Sequence, residues 1–305
     1  MKQTVLLVDY GGPEKIADIE PYLMRLFNDP HILSVPVFVR RFLAAWIAKK
    51  RLPKAIQIYE QLGGASPVNA TVKTLCEKLN SVQEEFAFEP AFLLQPPFLI
   101  DALNSHPSAL ICPLFPQEAF ATWGMIREKR KAFKRSTCVV PYFAHPDFIR
   151  MLVARLEAQL ALSSTPKSTF ILCTAHAIPM QHVRKGDQYV AQLIQQVEQI
   201  QKQFPAIPVK LGYQSRLGPV RWTEPRLESV LAWAQTEGYH TAIVLPLSFT
   251  IDNSETLVEL DQHYATIAQA YGITRWERVA CLNADRDFQR FILKVLAEFQ
   301  NSFDS

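Results

Sequence analysis

The sequence predicts an α/β fold in which two units each contain a four-stranded parallel sheet flanked by helices. Short apolar runs alternate with amphipathic stretches along the whole chain, which is typical of parallel sheets covered by helices on both faces. Strands are predicted near residues 4–9, 89–94, 108–113, 137–141, 168–174, 208–213, 241–247 and 277–281. Helices are predicted over 69–83, 146–161, 189–203, 225–237 and 254–271.

Two domains fit this pattern better than one large sheet. Residues 140–146 read as a crossover, and each half of the chain carries four predicted strands with helices of its own. The final predicted helix begins near residue 285, and its apolar side chains form one stripe that must dock on the rest of the protein. The stripe consists of Phe288, Phe291, Ile292, Val295 and Leu296.

Composition excludes several classes of protein. A net charge of +3 with no dense basic tract argues against a nucleic-acid partner. The apolar stretch 42–48 is far shorter than the ~20 residues that span a bilayer, and the first strand starts too early for a signal peptide. The cysteines are scattered and odd in number, which favours a reducing compartment and therefore the cytoplasm. They are Cys76, Cys112, Cys138, Cys173 and Cys281.

The leading candidate for chemistry is His176, which follows the predicted strand 168–174. A side chain at the carboxyl end of such a strand points into the crevice where open α/β sheets bind ligands. Glu255 and Glu259 follow the strand 241–247 and are four residues apart, so they share one face of a helix. A neutral imidazole facing two carboxylates is suited to moving protons or to holding a divalent metal.

One long segment interrupts the α/β alternation. About 80 residues between the first two strands show no strand pattern, and insertions of that length are usually functional. Within them, residues 37–48 predict an amphipathic helix with a basic end, Lys49 to Arg51. Two interpretations stay open: a helix packed in the core, or a lip near residues 34–52 that covers an apolar ligand and rests on a membrane surface. The lip predicts that Phe42, Trp46 and Ile47 are partly exposed.

A series of short motifs resembles the ferrochelatase family, which inserts ferrous iron into a porphyrin. The resemblance implies a chelatase fold of two Rossmann-like domains, over 1–140 and 141–284, with a C-terminal helix (285–305) that packs back on the first domain. It spans nearly the whole chain, and its motifs lie in order at 8–14, 26–30, 59–67, 113–117, 174–179, 185–189, 213–219 with Trp222, and 252–261.

The resemblance also implies roles for individual residues. His176 and Glu255 match the catalytic and metal-holding positions, and Glu259 and Asp252 are candidates for a proton relay. The positions implied to bind porphyrin are Tyr10, Arg51, Tyr59, Ser66, Gln214, Ser215 and Trp222. The chemistry agrees, because two pyrrole N–H protons must leave the porphyrin and histidine exchanges protons near neutral pH. Weak, exchangeable ligands also release iron more readily than thiolates or several histidines do.

Four positions depart from the family pattern. Leu93, Leu94 and Glu118 stand where relatives offer groups that could hold porphyrin propionates, and Asn253 stands where many relatives carry histidine. The porphyrin therefore stays open between protoporphyrin IX and coproporphyrin III.

Other functions also stay open at this point. They are a non-catalytic tetrapyrrole-binding or haem-handling protein and a chelatase for another metal or macrocycle. The retention of His176 and Glu255 favours catalysis, since a pure binder needs neither. We expect porphyrin and ferrous iron as the partners of a cytoplasmic monomer without a prosthetic group or iron–sulfur cluster, with a peripheral membrane contact through residues 37–51.

Overall fold

The computed structural model describes residues 2–162, 166–216 and 218–304. Met1, residues 163–165, Leu217 and Ser305 fall within the predicted domains, and Leu217 also within the 213–219 motif, but they lie outside the described residues. The predicted fold class is confirmed, because the chain forms two four-stranded parallel sheets flanked by helices. The domain boundaries near residues 140 and 284 stay predictions.

The two sheets have the same strand order. The first runs β2-β1-β3-β4 and the second β6-β5-β7-β8. The strands are β1 (Gln3–Asp9), β2 (Phe86–Phe92), β3 (Leu110–Pro113), β4 (Thr137–Cys138), β5 (Thr169–His176), β6 (Val209–Gln214), β7 (Thr241–Pro246) and β8 (Arg275–Arg278). Each lies at or within three residues of a predicted strand.

Helices connect and cover the strands. The α-helices are α1 (Ile19–Phe27), α2 (Val37–Gln61), α3 (Val68–Val82), α4 (Leu99–Ser105), α5 (Met125–Arg130), α6 (Pro146–Ala161), α7 (Met180–Arg184), α8 (Tyr189–Gln203), α9 (Leu227–Thr236), α10 (Ala265–Ala270) and α11 (Arg286–Asp304). Two π-helices, Phe120–Gly124 and Glu255–Tyr264, precede α5 and α10. The single helix predicted over 254–271 is therefore a π-helix followed by a short α-helix.

One apolar core joins the two sheets. Val5 and Leu7 on one face of β1 belong to the same cluster of buried side chains as Ile171 and Cys173 on one face of β5. The opposite face of the first sheet packs against α4 and α5, and that of the second against α9 and α10. The two halves of the chain therefore share buried surface.

Reciprocal hydrogen bonds join the loops that leave β3 and β7. Gln117 Nε2 donates to the backbone oxygen of Leu247 at 2.9 Å, and Thr250 Oγ1 donates to that of Leu114 at 2.7 Å. The two donors lie four residues beyond the ends of equivalent strands, and the two acceptors one residue beyond. The carboxyl ends of both sheets are consequently brought together.

The C-terminal helix α11 rests on elements from both halves of the chain. It packs against α3 and α6, and the ring of Phe291 lies 5.3 Å from that of Tyr142 and 5.4 Å from that of Phe148. Lys78 Nζ from α3 donates to the Ala284 carbonyl at 3.1 Å. The apolar stripe predicted from residue 288 onwards is the face that makes these contacts.

The predicted lip helix forms, and it continues to Gln61. Its first half presents large apolar groups to solvent: Phe38 and Phe42 are each 74% exposed and Trp46 is 55% exposed. Ile47 is half-buried, so all three side chains that the lip interpretation singled out are at least partly accessible. Among the described residues, no helix has the length and apolar character needed to cross a bilayer.

Candidate active site

His176 closes β5 with its ring in a defined orientation. Its Nδ1 lies 2.8 Å from the backbone oxygen of Ala177. A carbonyl oxygen can only accept a hydrogen bond, so Nδ1 carries the proton of the neutral ring and Nε2 keeps its lone pair. The local fold thus prepares Nε2 to accept a proton or to bind a metal.

The backbone of His176 is fixed on both sides. Its N–H donates to Ser248 Oγ at 3.2 Å, and its carbonyl accepts from the Tyr189 hydroxyl at 3.2 Å. Tyr189 and Ser248 are also hydrogen-bonded to each other. Burial raises the pKa of Tyr189, so the phenol keeps its proton and remains a donor at neutral pH.

Glu255 is the first residue of the second π-helix. The Asn253 side-chain oxygen accepts the backbone N–H groups of Glu255 at 3.0 Å and of Thr256 at 3.1 Å, and so caps the helix. Ser254 Oγ donates to Glu255 Oε2 at 2.7 Å. The widened i→i+5 turns of π-helices are frequent at functional sites.

Glu259 lies one turn further along the π-helix and is held more fully. The backbone N–H of Ser215 donates to its Oε1 at 3.0 Å, and the Ser215 hydroxyl donates to its Oε2. Gln214 Nε2 also approaches Oε2 at 3.3 Å. Burial raises the pKa of Glu259; the hydrogen bonds from Ser215 oppose that shift and the negative charge of Glu255 adds to it.

Helix α2 brings two of the implied residues to this acidic pair. Burial lowers the pKa of Arg51, and the charges of Glu255 and Glu259 counteract that shift, which places the guanidinium within electrostatic reach of both. Burial raises the pKa of Tyr59, on the last turn of α2, and the charge of Glu255 adds to that shift, which places the phenol within electrostatic reach of Glu255. The structure therefore gathers Arg51 and Tyr59 from the first half of the chain around carboxylates of the second.

Tyr10 follows β1 and packs inside the first half. Its hydroxyl donates to the Ala121 carbonyl of the first π-helix at 2.7 Å, and its ring lies 5.2 Å from that of Phe115. Burial raises its pKa, and the charges of Asp29, Asp9 and Glu255 add to that shift. Its hydroxyl thus supports the first π-helix while the side chain lies within electrostatic reach of Glu255.

Asp252 has a structural partner that the sequence did not reveal. Arg278 Nη1 donates to its Oδ1 at 2.8 Å and Asn283 Nδ2 to its Oδ2 at 2.8 Å. Burial raises the pKa of Asp252, but the hydrogen bond from Asn283 and the charge of Arg278 outweigh burial, so the pKa is lowered. Through these bonds Asp252 links the π-helix region to the end of β8. A carboxylate that is held anionic takes up a proton less readily, so this position does not favour a role for Asp252 in a proton relay.

Ser66 and Trp222 also have local contacts of their own. Ser66 is buried, and a Cβ on Gly12 would lie 2.3 Å from its Oγ, so the tight turn after β1 depends on glycine at that position. Trp222 pairs with Pro179 in an isolated antiparallel bridge just beyond His176. It lines a recess of about 190 Å³ together with Met180, Val183 and Val190.

Asp9 is the carboxylate of this region to which the sequence assigned no role. It ends β1, and its Oδ1 accepts the backbone N–H of Gly11 at 3.3 Å. Burial raises its pKa from 3.8 to about 6. The backbone hydrogen bonds from Gly11 and Tyr10 oppose this shift, and the negative charge of Glu255 adds to it. The available signal was its place at the carboxyl end of a buried strand, the same criterion that identified His176.

We expect Asp9→Asn to stabilise the protein by about 2–3 kcal/mol at pH 7.5. Asparagine keeps the oxygen that accepts from Gly11 and removes the buried charge. Because the folded pKa exceeds the unfolded one, the stability that Asp9 gives is present below about pH 3.8 and is lost as the pH rises through about 6.

Urea unfolding of both proteins at pH 7.5 and pH 4 measures this effect. The stabilisation should shrink at pH 4, and equal stabilisation at both pH values would contradict it. Asp101→Asn, at an exposed aspartate of α4, is the control and should change stability by less than about 1 kcal/mol.

Comparison with known proteins assigns the family. A model of the ferrochelatase family matches residues 2–299. Ferrochelatases of Campylobacter concisus and Pelagibacter ubique are each 33% identical to the chain. The match with the first covers 96% of this chain and 97% of that protein. The match with the second covers 98% of this chain and 90% of that protein.

Two solved structures share the fold at 14% identity. One is CbiX, the terminal enzyme of sirohaem biosynthesis in denitrifying bacteria, with a TM-score of 0.54 over 97% of this chain and 99% of that one. The other is SirB from Bacillus subtilis with Fe³⁺, with a TM-score of 0.56 over 98% and 95%. The chain therefore belongs to the ferrochelatase family, whose members are lyases that insert a metal into a porphyrin in haem biosynthesis.

Proposed function

We propose that this chain inserts ferrous iron into protoporphyrin IX, with His176 as the base that removes pyrrole N–H protons and Glu255 assisting it. Iron is a substrate in this reaction, and the protein works without a prosthetic group or iron–sulfur cluster. The observation that carries the proposal is the hydrogen bond from His176 Nδ1 to Ala177, because it leaves Nε2 free to accept a proton. His176 and Glu255 also contact the incoming metal.

The acidic pair provides a route for protons and hydrated iron. Glu255 has one oxygen bound by Ser254, whereas both oxygens of Glu259 accept hydrogen bonds. Metallation releases two protons for each Fe²⁺ that enters, so the porphyrin must pass one proton after another to the protein. Glu255, with Oε1 free of hydrogen bonds to the described residues, is the more available acceptor. Glu259, whose pKa the charge of His176 acts to lower, is a second acceptor beside it.

The identity of the porphyrin depends on groups near its propionates. Leu93 and Leu94 are buried and offer no charge, and Glu118 is paired with Arg127 at 2.6 Å. Arg25 Nε donates to the Leu94 carbonyl at 2.6 Å, so its guanidinium holds this loop and not a propionate. A substrate with two propionates therefore suits the site better than one with four, which supports protoporphyrin IX over coproporphyrin III.

Anaerobic incubation with Fe²⁺ and each porphyrin, followed by the shift of the Soret band, tests the proposal. We expect a higher kcat/KM with protoporphyrin IX. A higher value with coproporphyrin III would reverse the assignment of substrate. Tight binding of both porphyrins without metallation would indicate the non-catalytic haem-handling protein instead.

The exposed face of α2 supports a role as an apolar lip that also touches the membrane surface. Phe38, Phe42 and Trp46 are spaced four residues apart and so lie along one side of the helix. Lys49 and Lys50 follow them, and Lys50 Nζ lies 5.1 Å from the centre of the Trp46 ring. Apolar side chains flanked by lysine are the composition of helices that lie on anionic membranes.

We expect Phe42→Ser with Trp46→Ser to weaken binding of porphyrin and of anionic vesicles, while the free energy of unfolding falls by less than about 1 kcal/mol. The two side chains are exposed, so their removal leaves no cavity. Vesicle co-sedimentation at low and high salt, with thermal unfolding, measures both effects. Val82→Ser with Leu162→Ser, which replaces two exposed apolar residues elsewhere, should leave binding unchanged. If the variant with Phe42→Ser and Trp46→Ser binds vesicles as the parent does, the proposed membrane contact is wrong.

We further propose that the protein acts as a monomer in the cytoplasm. His176, Glu255 and the α2 residues come from the same chain, so the site is complete without a second copy. The five cysteines are free thiols, which fits a reducing compartment. Size-exclusion chromatography with light scattering tests the oligomeric state.

A further inference from the structure

The hydroxyl of Ser254 has a bond that the helix itself does not require. Its Oγ donates to Glu255 Oε2 at 2.7 Å. Although Ser254 stands at the start of the π-helix, its side chain caps no backbone N–H group. Asn253 supplies that cap, with bonds to the N–H groups of Glu255 and Thr256. Removing the Ser254 hydroxyl should therefore leave the start of the helix intact.

The two site carboxylates differ in how their oxygens are used. Ser215 donates to both oxygens of Glu259, whereas Ser254 binds only Oε2 of Glu255. Among the described residues none donates a hydrogen bond to Glu255 Oε1. A single bond that fixes one oxygen and leaves the other available orients a carboxylate without occupying it.

We propose that Ser254 is a positioning residue for Glu255. This inference rests on the proposed role of Glu255 in metal insertion. The bond from Ser254 to Oε2 restricts the rotation of the Glu255 carboxylate and leaves Oε1 available to a proton or to the metal.

Steady-state metal insertion by Ser254 variants tests the inference, with Fe²⁺ and whichever of the two porphyrins the protein converts faster. We expect Ser254→Ala to lower kcat about tenfold, which corresponds to one hydrogen bond to a charged group, with KM for porphyrin within about twofold. Ser254→Thr keeps the hydroxyl and should restore kcat to within about twofold of the parent. Ser81→Ala, which removes an exposed hydroxyl at the end of α3, is the matched control.

Should Ser254→Ala unfold at a much lower temperature than the parent, Ser254→Thr decides the question, because it keeps the hydroxyl that donates to Glu255. A stable Ser254→Thr variant that loses kcat as Ser254→Ala does would overturn the positioning role.

Glu255→Gln separates this inference from the proposed function. In the Glu255→Gln background, Ser254→Ala should cause no additional loss of kcat. If Glu255→Gln is impaired while Ser254→Ala turns over as the parent does, the positioning role is wrong and the role of Glu255 stands. If Glu255→Gln itself retains the parental rate, the proposed function of Glu255 fails, and the positioning role fails with it.

Discussion

His176→Ala should lower the rate of metal insertion by at least about 10³-fold while the affinity for porphyrin changes by less than about tenfold. The rate falls because Nε2 is the proton acceptor that the hydrogen bond to Ala177 leaves free. The affinity persists because an apolar slot supplies most of the binding energy for a large macrocycle. Anaerobic initial rates and quenching of porphyrin fluorescence measure the two quantities separately.

A matched control exists elsewhere in the second half of the chain. His240 also has Nδ1 within hydrogen-bonding distance of a backbone oxygen, that of Gly272 at 3.0 Å, and its side chain is exposed. His240→Ala should insert iron at the parental rate. Insertion by His176→Ala at the rate of the parent would show that another group is the base. Loss of porphyrin binding equal to the loss of rate would instead assign His176 to substrate binding.

The sheets could be predicted from the sequence because buried parallel strands are local, continuous apolar runs. The run before His176 needs no knowledge of distant residues to be identified, and the place of His176 at a carboxyl end follows directly. The π-helix was not predictable in the same way. Glu255 and Glu259 share a face in a regular helix and lie one turn apart in the observed π-helix, so their spacing does not distinguish the two.

The partners of the site residues depend on contacts between distant parts of the chain. Asp252 looked like a member of the acidic segment, but Arg278 and Asn283 approach it only after β8 joins the second sheet. Arg51 and Tyr59 likewise come within electrostatic reach of Glu255 only because α2 packs toward the π-helix. Residue types and spacing reveal neither pairing. The resemblance to a family was the signal that identified Arg51 and Tyr59 as positions of interest.

Glu255→Gln should slow metal insertion by about 10²-fold and Glu259→Gln by less than about tenfold. Glutamine has nearly the shape of glutamate, so the difference reports the loss of a charge that accepts protons. In Glu255 that charge has an oxygen without a hydrogen bond from the described residues, while Ser215 occupies both oxygens of Glu259. Glu255, the carboxylate with the available oxygen, should therefore contribute more to the rate.

The two variants should also differ in stability, in the opposite order. Ser215 has a positive φ of 63°, a conformation that non-glycine residues adopt at a cost unless their surroundings hold them. Glu259 holds it by accepting from its backbone N–H and its hydroxyl, and a glutamine there has only one oxygen to accept both. Glu259→Gln should therefore lower the free energy of unfolding by about 1–3 kcal/mol, whereas Glu255→Gln changes it by less than about 1 kcal/mol.

Urea unfolding and kcat at saturating porphyrin, measured on the same preparations, test both orders together. Equal rate losses in the two variants would mean that the carboxylates act as one relay in which neither has a special place. A larger rate loss in Glu259→Gln with unchanged stability would reverse the assignment, because it would show that the charge of Glu259 acts in catalysis and that its bonds to Ser215 are incidental. Stability loss confined to Glu259→Gln, with rate loss largest in Glu255→Gln, is the result that the hydrogen bonds of the two side chains require.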